Sequence, residues 1–177
     1  MMELKLERIG TPGALALGRK IVRDFHTYEL LGYWYALREV WAHRAIVLGI
    51  RVDGRRCGYL VHGLPDRDRM ARIMYLATEP EVRGRGVGAA VLRRMRRDYP
   101  DAVFYFEVED PAFAADGEER RMMEHRIGFY RRSGYELLDF TLTAGPWHLL
   151  CMTSDPGAAS AIVERYRQNW GEDVVGR

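Results

Sequence analysis

Apolar residues return along this chain in two rhythms. From Gly86 to Asp98 the rhythm is helical: Val87, Val91 and Met95 recur every fourth residue and Leu92 widens the stripe. Arg93, Arg94, Arg96 and Arg97 then mostly face away from it, and Tyr99-Pro100 closes the helix. From Ala102 to Glu109 the rhythm changes to alternation. Ala102, Phe104, Phe106 and Val108 fall on one face of a strand. Asp116 to Ser133 returns to helix. Asp116 and Glu119 stand at capping-box spacing, and Gly134 suits the left-handed residue just past the end.

The flanking segments follow the same logic. Glu3 to Arg8 reads as a first strand, and Pro12-Gly13 breaks the chain before a helix at about 14–25. A second helix runs from Glu29 to Trp41. Ala45 to Val52 and Arg56 to His62 are β-prone runs joined by Asp53-Gly54, a strong hairpin signal because both turn residues must accept positive φ. Met70 to Thr78 is a third apolar strand, ended by Glu79-Pro80. Tyr135 to Leu142 and Trp147 to Met152 form a pair around Gly145-Pro146. Asp155 then caps a last helix with Pro156 at its first position, and Ala159, Ile162, Val163, Tyr166 and Trp170 make its buried stripe. Strands and helices mixed in this way predict one α/β (α+β) domain over residues 1–177.

Bulk properties narrow the class. A chain of 177 residues can bury a real core, and 47% hydrophobic with 29% charged residues is the balance of a globular protein. No apolar run approaches the length of a membrane span, so no membrane partner is expected. Met1 to Gly10 carries Glu3, Lys5, Glu7 and Arg8 and lacks the apolar core of a signal peptide, so the expected location is the cytoplasm. Cys57 and Cys151 are too far apart for a metal or disulfide framework, and both lie in apolar strand-like runs. Buried reduced thiols are expected, and no metal. Net charge is +2, and Lys5 and Lys20 are the only lysines. Arginine serves phosphate recognition well, but genome base composition produces the same bias.

The informative stretch is Tyr75 to Met95. A strand runs into Glu-Pro-Glu-Val, then Arg83-Gly84-Arg85-Gly86-Val87-Gly88, then the amphipathic helix. Glycines let the backbone turn tightly and present N–H groups with no Cβ in the way. The first turn of a helix has unpaired N–H groups and a partial positive charge. Together they suit a phosphate or pyrophosphate, with Arg83 and Arg85 as charge-assisted donors or simply as solvated side chains. The Gly-Lys-Ser/Thr ending of a nucleoside-triphosphate loop is missing. The position after an antiparallel hairpin, mid-chain, argues against a Rossmann site.

These residues resemble the GNAT superfamily of acetyl-CoA-dependent N-acyltransferases. Their motif is Q/R-x-x-G-x-G/A after a strand, and Arg83, Gly86 and Gly88 match it. The words Tyr75-Leu76-Ala77-Thr78-Glu79-Pro80-Glu81-Val82 before it and Val91-Leu92 after it match too. Phe129-Tyr130-Arg131-Arg132-Ser133-Gly134-Tyr135 resembles a second family motif. The element order agrees from about Ala45 to Met152. Phe25 to Glu29 and Phe106 to Glu109 resemble a bacterial branch of small acetyltransferases whose substrates are mostly unassigned.

The resemblance implies a GNAT fold: a central mixed, mostly antiparallel sheet flanked by helices, with Met70–Thr78 and Ala102–Glu109 as a splayed parallel pair. It implies acetyl-CoA as co-substrate. Backbone groups of Leu76, Ala77 and Thr78 would hydrogen-bond the pantetheine arm. Backbone N–H groups from Arg83 through Gly84, Arg85, Gly86, Val87 and Gly88 to Ala89 would hold the pyrophosphate. Tyr130 matches the tyrosine the family places near the coenzyme sulfur, with core packing beside Met123 and Ile127 as the other reading. Glu107 and Glu109 lie on one side of a strand and are candidates for the base, or else partners of Arg120, Arg121 or Arg126. Glu29 falls where the related branch often has a glutamate, near the expected acceptor mouth.

One departure stands out. The related branch often has an acid just before Tyr-Leu-Ala, and this chain has Met74 there. His62, His125 and His148 are isolated and are expected to be surface or satisfied residues. Trp34, Trp41 and Trp147 either line the acceptor mouth or are buried, burial being the plainer account. A small-molecule or peptide amine acceptor is expected. The alternative is a coenzyme-binding sensor or scaffold with little or no turnover. A nucleic-acid partner is not expected, because the arginines of 93–97 and 120–132 face solvent without interleaved stacking aromatics. A homodimer stays open.

Overall fold

The computed structural model describes residues 2–10, 13, 14, 16, 17, 21, 29–144, 146–170 and 174–176, without the side chains of 29–32, 144, 169, 170 and 174–176. The chain forms two compact units, residues 1–102 and 103–177.

The first unit is built on four antiparallel strands in sequence order: β1 (Leu4–Arg8), β2 (Ala45–Val52), β3 (Arg55–Gly63) and β4 (Met70–Thr78). The β2–β3 turn has the expected chemistry, with φ of 48° at Asp53 and 79° at Gly54. Helix α1 (Glu29–Trp41) packs on β2, and α2 (Val87–Asp98) packs on β1 and β4. The face α2 turns inward is the predicted one: Val87, Val91, Leu92 and Met95 are all buried. Of the helix expected at 14–25, residues 13, 14, 16, 17 and 21 are helical, and the rest lie outside the described residues. Ala14, Leu17 and Ile21 join Tyr33, Ala36 and Leu37 of α1 in one core cluster, where the Tyr33 hydroxyl donates to the Ala14 carbonyl at 2.8 Å.

That packing corrects the reading of two tryptophans. Tyr33, Ala36 and Leu37 take the inward face of α1, at helical spacing. Trp34 and Trp41, two turns apart, fall on the outward face and are 62% and 54% exposed, so burial does not account for them.

The second unit is also antiparallel. β5 (Val103–Glu109) pairs with β7 (Trp147–Thr153), β7 with β6 (Glu136–Ala144), and β6 with the short β8 (Val174–Gly176), which no sequence signal announced. Helix α3 (Gly117–Arg132) packs on β5. Its start is fixed by Asp116, whose Oδ1 accepts from the N–H groups of Glu118 and Glu119 at 2.9 and 2.8 Å. Glu119 reaches back to the N–H of Ala115, one residue earlier than a strict capping box. Gly134 ends the helix at φ 83°. Asp155 and Pro156 open a single 3-10 turn at Pro156–Ala158, after which α4 (Ala159–Trp170) buries Ile162 and Tyr166. The two strands expected to splay, β4 and β5, belong to different units.

Candidate functional site

The first unit carries the glycine turn. From Ala71 to Leu76 β4 alternates buried and half-buried residues, Leu76, Ala77 and Thr78 are all half-buried, and its pairing with β3 slips once. Val61 faces Tyr75 and His62 faces Ile73, which leaves Met74 as the extra residue of a β-bulge. The position where the related branch has an acid is therefore a bulge residue, packed against the core cluster. Beyond it Leu60, Tyr59 and Gly58 pair with Leu76, Ala77 and Thr78. This pairing depends on Gly58, since a Cβ there would lie 2.3 Å from the Ala77 carbonyl oxygen. Sequence reading missed Gly58, because nothing local distinguishes it from any strand glycine.

A 3-10 turn at Pro80–Val82 then swings the chain toward α2. Gly84 and Gly86 have φ of 74° and 77°, the left-handed conformation that only glycine adopts freely. Ala90 makes the first intrahelical hydrogen bond, to the Gly86 carbonyl at 3.0 Å. The N–H groups of Val87, Gly88 and Ala89 lie ahead of that bond and have no intrahelical acceptor by geometry. Gly86 at the N-cap position has no side chain to cap this end, and no acid sits in the first turn. The contrast with α3 is informative, because Asp116, Glu118 and Glu119 supply that helix with both a cap and negative charge. Residues 83–86 are exposed, and a Cβ on Gly84 or Gly86 would meet nothing within 4 Å among the described residues. The α2 N-terminus is thus an open, positively polarised end with space above it. Arg83 has a role the sequence did not suggest: its Nε donates to the Thr78 carbonyl at 3.2 Å and ties the turn to the end of β4.

The second unit holds the remaining candidates. Tyr130, in the last turn of α3, is half-buried with its ring 4.4 Å from that of Phe106. Phe129 and Tyr135 complete an aromatic cluster around it. The next residue along β5, Glu107, points to the other face, where its Oε1 accepts the hydroxyl hydrogen of Tyr166 from α4. Glu109 pairs with Arg126 of α3, one of the three arginines proposed for it. Glu109 thus meets a permanent cation, and Glu107 accepts from a phenol. In the sequence Tyr166 reads only as part of the buried stripe of its helix. Glu29 opens α1, and its side chain lies outside the described residues.

Other candidates drop away on burial. Cys57 and Cys151 are buried free thiols. Burial, with help from the Glu79 charge, pushes the Cys57 thiol up, which opposes nucleophile chemistry. His62 is fully buried, bonded through Nδ1 to the Gly63 carbonyl at 2.7 Å, and burial holds its imidazole below the usual range. His148 stacks on the exposed Phe113 with ring centroids 3.6 Å apart. No described helix is long and apolar enough to cross a membrane.

Comparison with known proteins gives the family and the fold. The model of the acetyltransferase (GNAT) family matches residues 16–135. No curated protein matches the chain. Among solved structures, a GNAT-family protein from Bacteroides thetaiotaomicron is 20% identical over 94% of this chain and 98% of its own, with a TM-score of 0.67. The ribosomal-protein-S18-alanine N-acetyltransferase of Escherichia coli is 13% identical over 86% and 92%, at 0.57. A Bacillus subtilis acetyltransferase in complex with CoA is 9% identical over 88% and 99%, at 0.56. At these identities the likeness is one of fold, and the family match carries the rest: the chain belongs to the GNAT family of acetyltransferases.

Proposed function

We propose that this protein transfers the acetyl group of acetyl-CoA to a primary amine by direct attack in a ternary complex, as one domain over residues 1–177. The observation that carries the reading is the open N-terminus of α2, with two left-handed glycines before it and neither cap nor acid on it. Backbone N–H groups of Gly84 and of Gly86 to Ala89 bind the pyrophosphate there; those of Arg83 and Arg85 donate to the Pro80 and Val82 carbonyls, at 3.1 and 3.4 Å, so these two residues contribute positive side-chain charge. Leu76, Ala77 and Thr78 offer backbone groups to the pantetheine arm. Glu29 attracts a cationic acceptor.

An alkyl amine arrives as an ammonium, with a pKa of about 10, and must lose a proton before it attacks. We assign that proton to Glu107, since Glu109 is engaged by Arg126. The nitrogen then attacks the thioester carbonyl carbon. A C–N bond forms, the C–S bond breaks, and sulfur keeps the electron pair. Between ammonium and amide the nitrogen loses two protons. One leaves to solvent by way of Glu107, and the other ends on the coenzyme sulfur by way of Tyr130.

A second reading, a coenzyme sensor with little or no turnover, draws on Met74 standing where an acid is common. Acetyl-CoA consumption measured with a polyamine, an aminosugar, free lysine and a peptide with an N-terminal alanine separates the two. Saturable acetylation of at least one amine is expected. Coenzyme binding without turnover on any of them would leave the sensor.

A further inference from the structure

Glu107 and Tyr166 stand 59 residues apart in the chain and meet through one hydrogen bond, the phenol donating to Oε1. Everything around the phenol fixes it. The Tyr166 residue is 3% exposed. Tyr105 meets its ring edge-on at 5.8 Å, and Phe140 lies against it at 6.0 Å. Its oxygen is 3.8 Å from the sulfur of Cys151, the residue opposite Glu107 in the β5–β7 ladder. A ring packed on these sides keeps one rotamer, so α4 and the sheet dictate where the hydroxyl points. A glutamate side chain has more freedom and is the partner that adapts. The aromatic packing alone would be served equally by phenylalanine, so the hydroxyl is the part of Tyr166 that burial leaves unexplained.

We propose that Tyr166 is a positioning residue for acetyl transfer, holding the Glu107 carboxylate in the one orientation from which it takes the proton of the incoming amine. The proposal rests on the assignment of Glu107 as base. Tyr166 keeps its own proton throughout and acts only through Glu107. It gives the buried hydroxyl a function that the packing of the ring does not require. It also makes α4, beyond the part of the chain that the family model matches, a part of the catalytic apparatus.

The test is a double-mutant cycle on the full chain with acetyl-CoA and the best amine of the four-member panel. Tyr166→Phe is expected to lower kcat about tenfold with the KM for acetyl-CoA unchanged, and Glu107→Gln to lower kcat about a hundredfold or more. The double variant is expected to match Glu107→Gln alone, because a hydroxyl that acts through the carboxylate has nothing left to position. Cys151→Ala disturbs the same pocket but keeps the hydrogen bond, and is expected to change thermal stability and leave kcat unchanged. Should Tyr166→Phe fail to fold, Glu107→Asp withdraws the carboxylate from the phenol and is expected to show the same loss of kcat.

Losses that multiply in the double variant, full activity in Tyr166→Phe or Glu107→Asp, or an equal loss in Cys151→Ala would each overturn the positioning role. Wild-type kcat in Glu107→Gln would overturn the base assignment and the positioning role with it. Impaired Glu107→Gln beside fully active Tyr166→Phe would overturn the positioning role alone. A wild-type protein that acetylates none of the four amines would remove both.

Discussion

The carbonyl oxygen of Ala77 lies 2.3 Å from where a Cβ on Gly58 would stand. The obstacle is backbone on a paired strand, so a larger residue at 58 cannot be relieved by turning a side chain. Gly58→Ala is expected to cost about 1–3 kcal/mol of folding stability, the usual range for overpacking. The strain falls on Ala77 and Thr78, so the KM for acetyl-CoA should rise with it. Urea unfolding together with steady-state kinetics checks both; a midpoint equal to wild type would mean the strands are not this close.

Gly86 fails for a different reason. A Cβ there meets nothing among the described residues, but φ is 77°. Gly86→Ala is therefore expected to lose about 1–2 kcal/mol through backbone strain alone. Gly86→Asn should recover part of that loss, because asparagine tolerates the left-handed region. The order glycine, asparagine, alanine should hold both for melting temperature and for CoA affinity. Equal affinity across the three would separate the turn from coenzyme binding.

His62 links stability to pH. Burial lowers its folded-state pKa below the ordinary value of 6.5, so the unfolded chain takes up the proton first. Its contribution to stability is therefore complete above pH 6.5 and is lost as the pH falls from there through the folded value. The slope is at most about 1.4 kcal/mol per pH unit, the figure for one proton. Unfolding free energy measured between pH 7.5 and about pH 5 should bend downward in wild type and bend less in His62→Gln. An identical bend in the variant would assign the loss to other groups.

Local signals located most of the elements. β2 and β4 begin and end where the apolar pattern begins and ends, and α2 buries the stripe read from its spacing. Positive φ at Asp53, Gly54, Gly84, Gly86 and Gly134 lies at turn and cap residues already singled out. Each of these is a property of a few consecutive residues. What escaped notice depends on which strand lies beside which, and in what register. Met74 is an ordinary apolar residue until the slip between Val61 and His62 makes it a bulge. Gly58 matters only because of Ala77. Tyr166 fits a core stripe in sequence, and its hydroxyl gains meaning only beside Glu107. The exposure of Trp34 and Trp41 is not legible in the sequence because α1 has aromatics on more than one face, and hydrophobicity alone does not say which face turns inward.

Amide chemical shifts of isotope-labelled protein, followed as CoA and then pantetheine are added, observe the glycine turn directly. With CoA, the N–H signals of Gly84 to Ala89 should move together and saturate with the bound fraction. Pantetheine, which lacks the pyrophosphate, should leave them in place while still shifting Leu76, Ala77 and Thr78. If the protein saturates with CoA and the signals of residues 84–89 stay where they were, the N-terminus of α2 is not where the pyrophosphate binds.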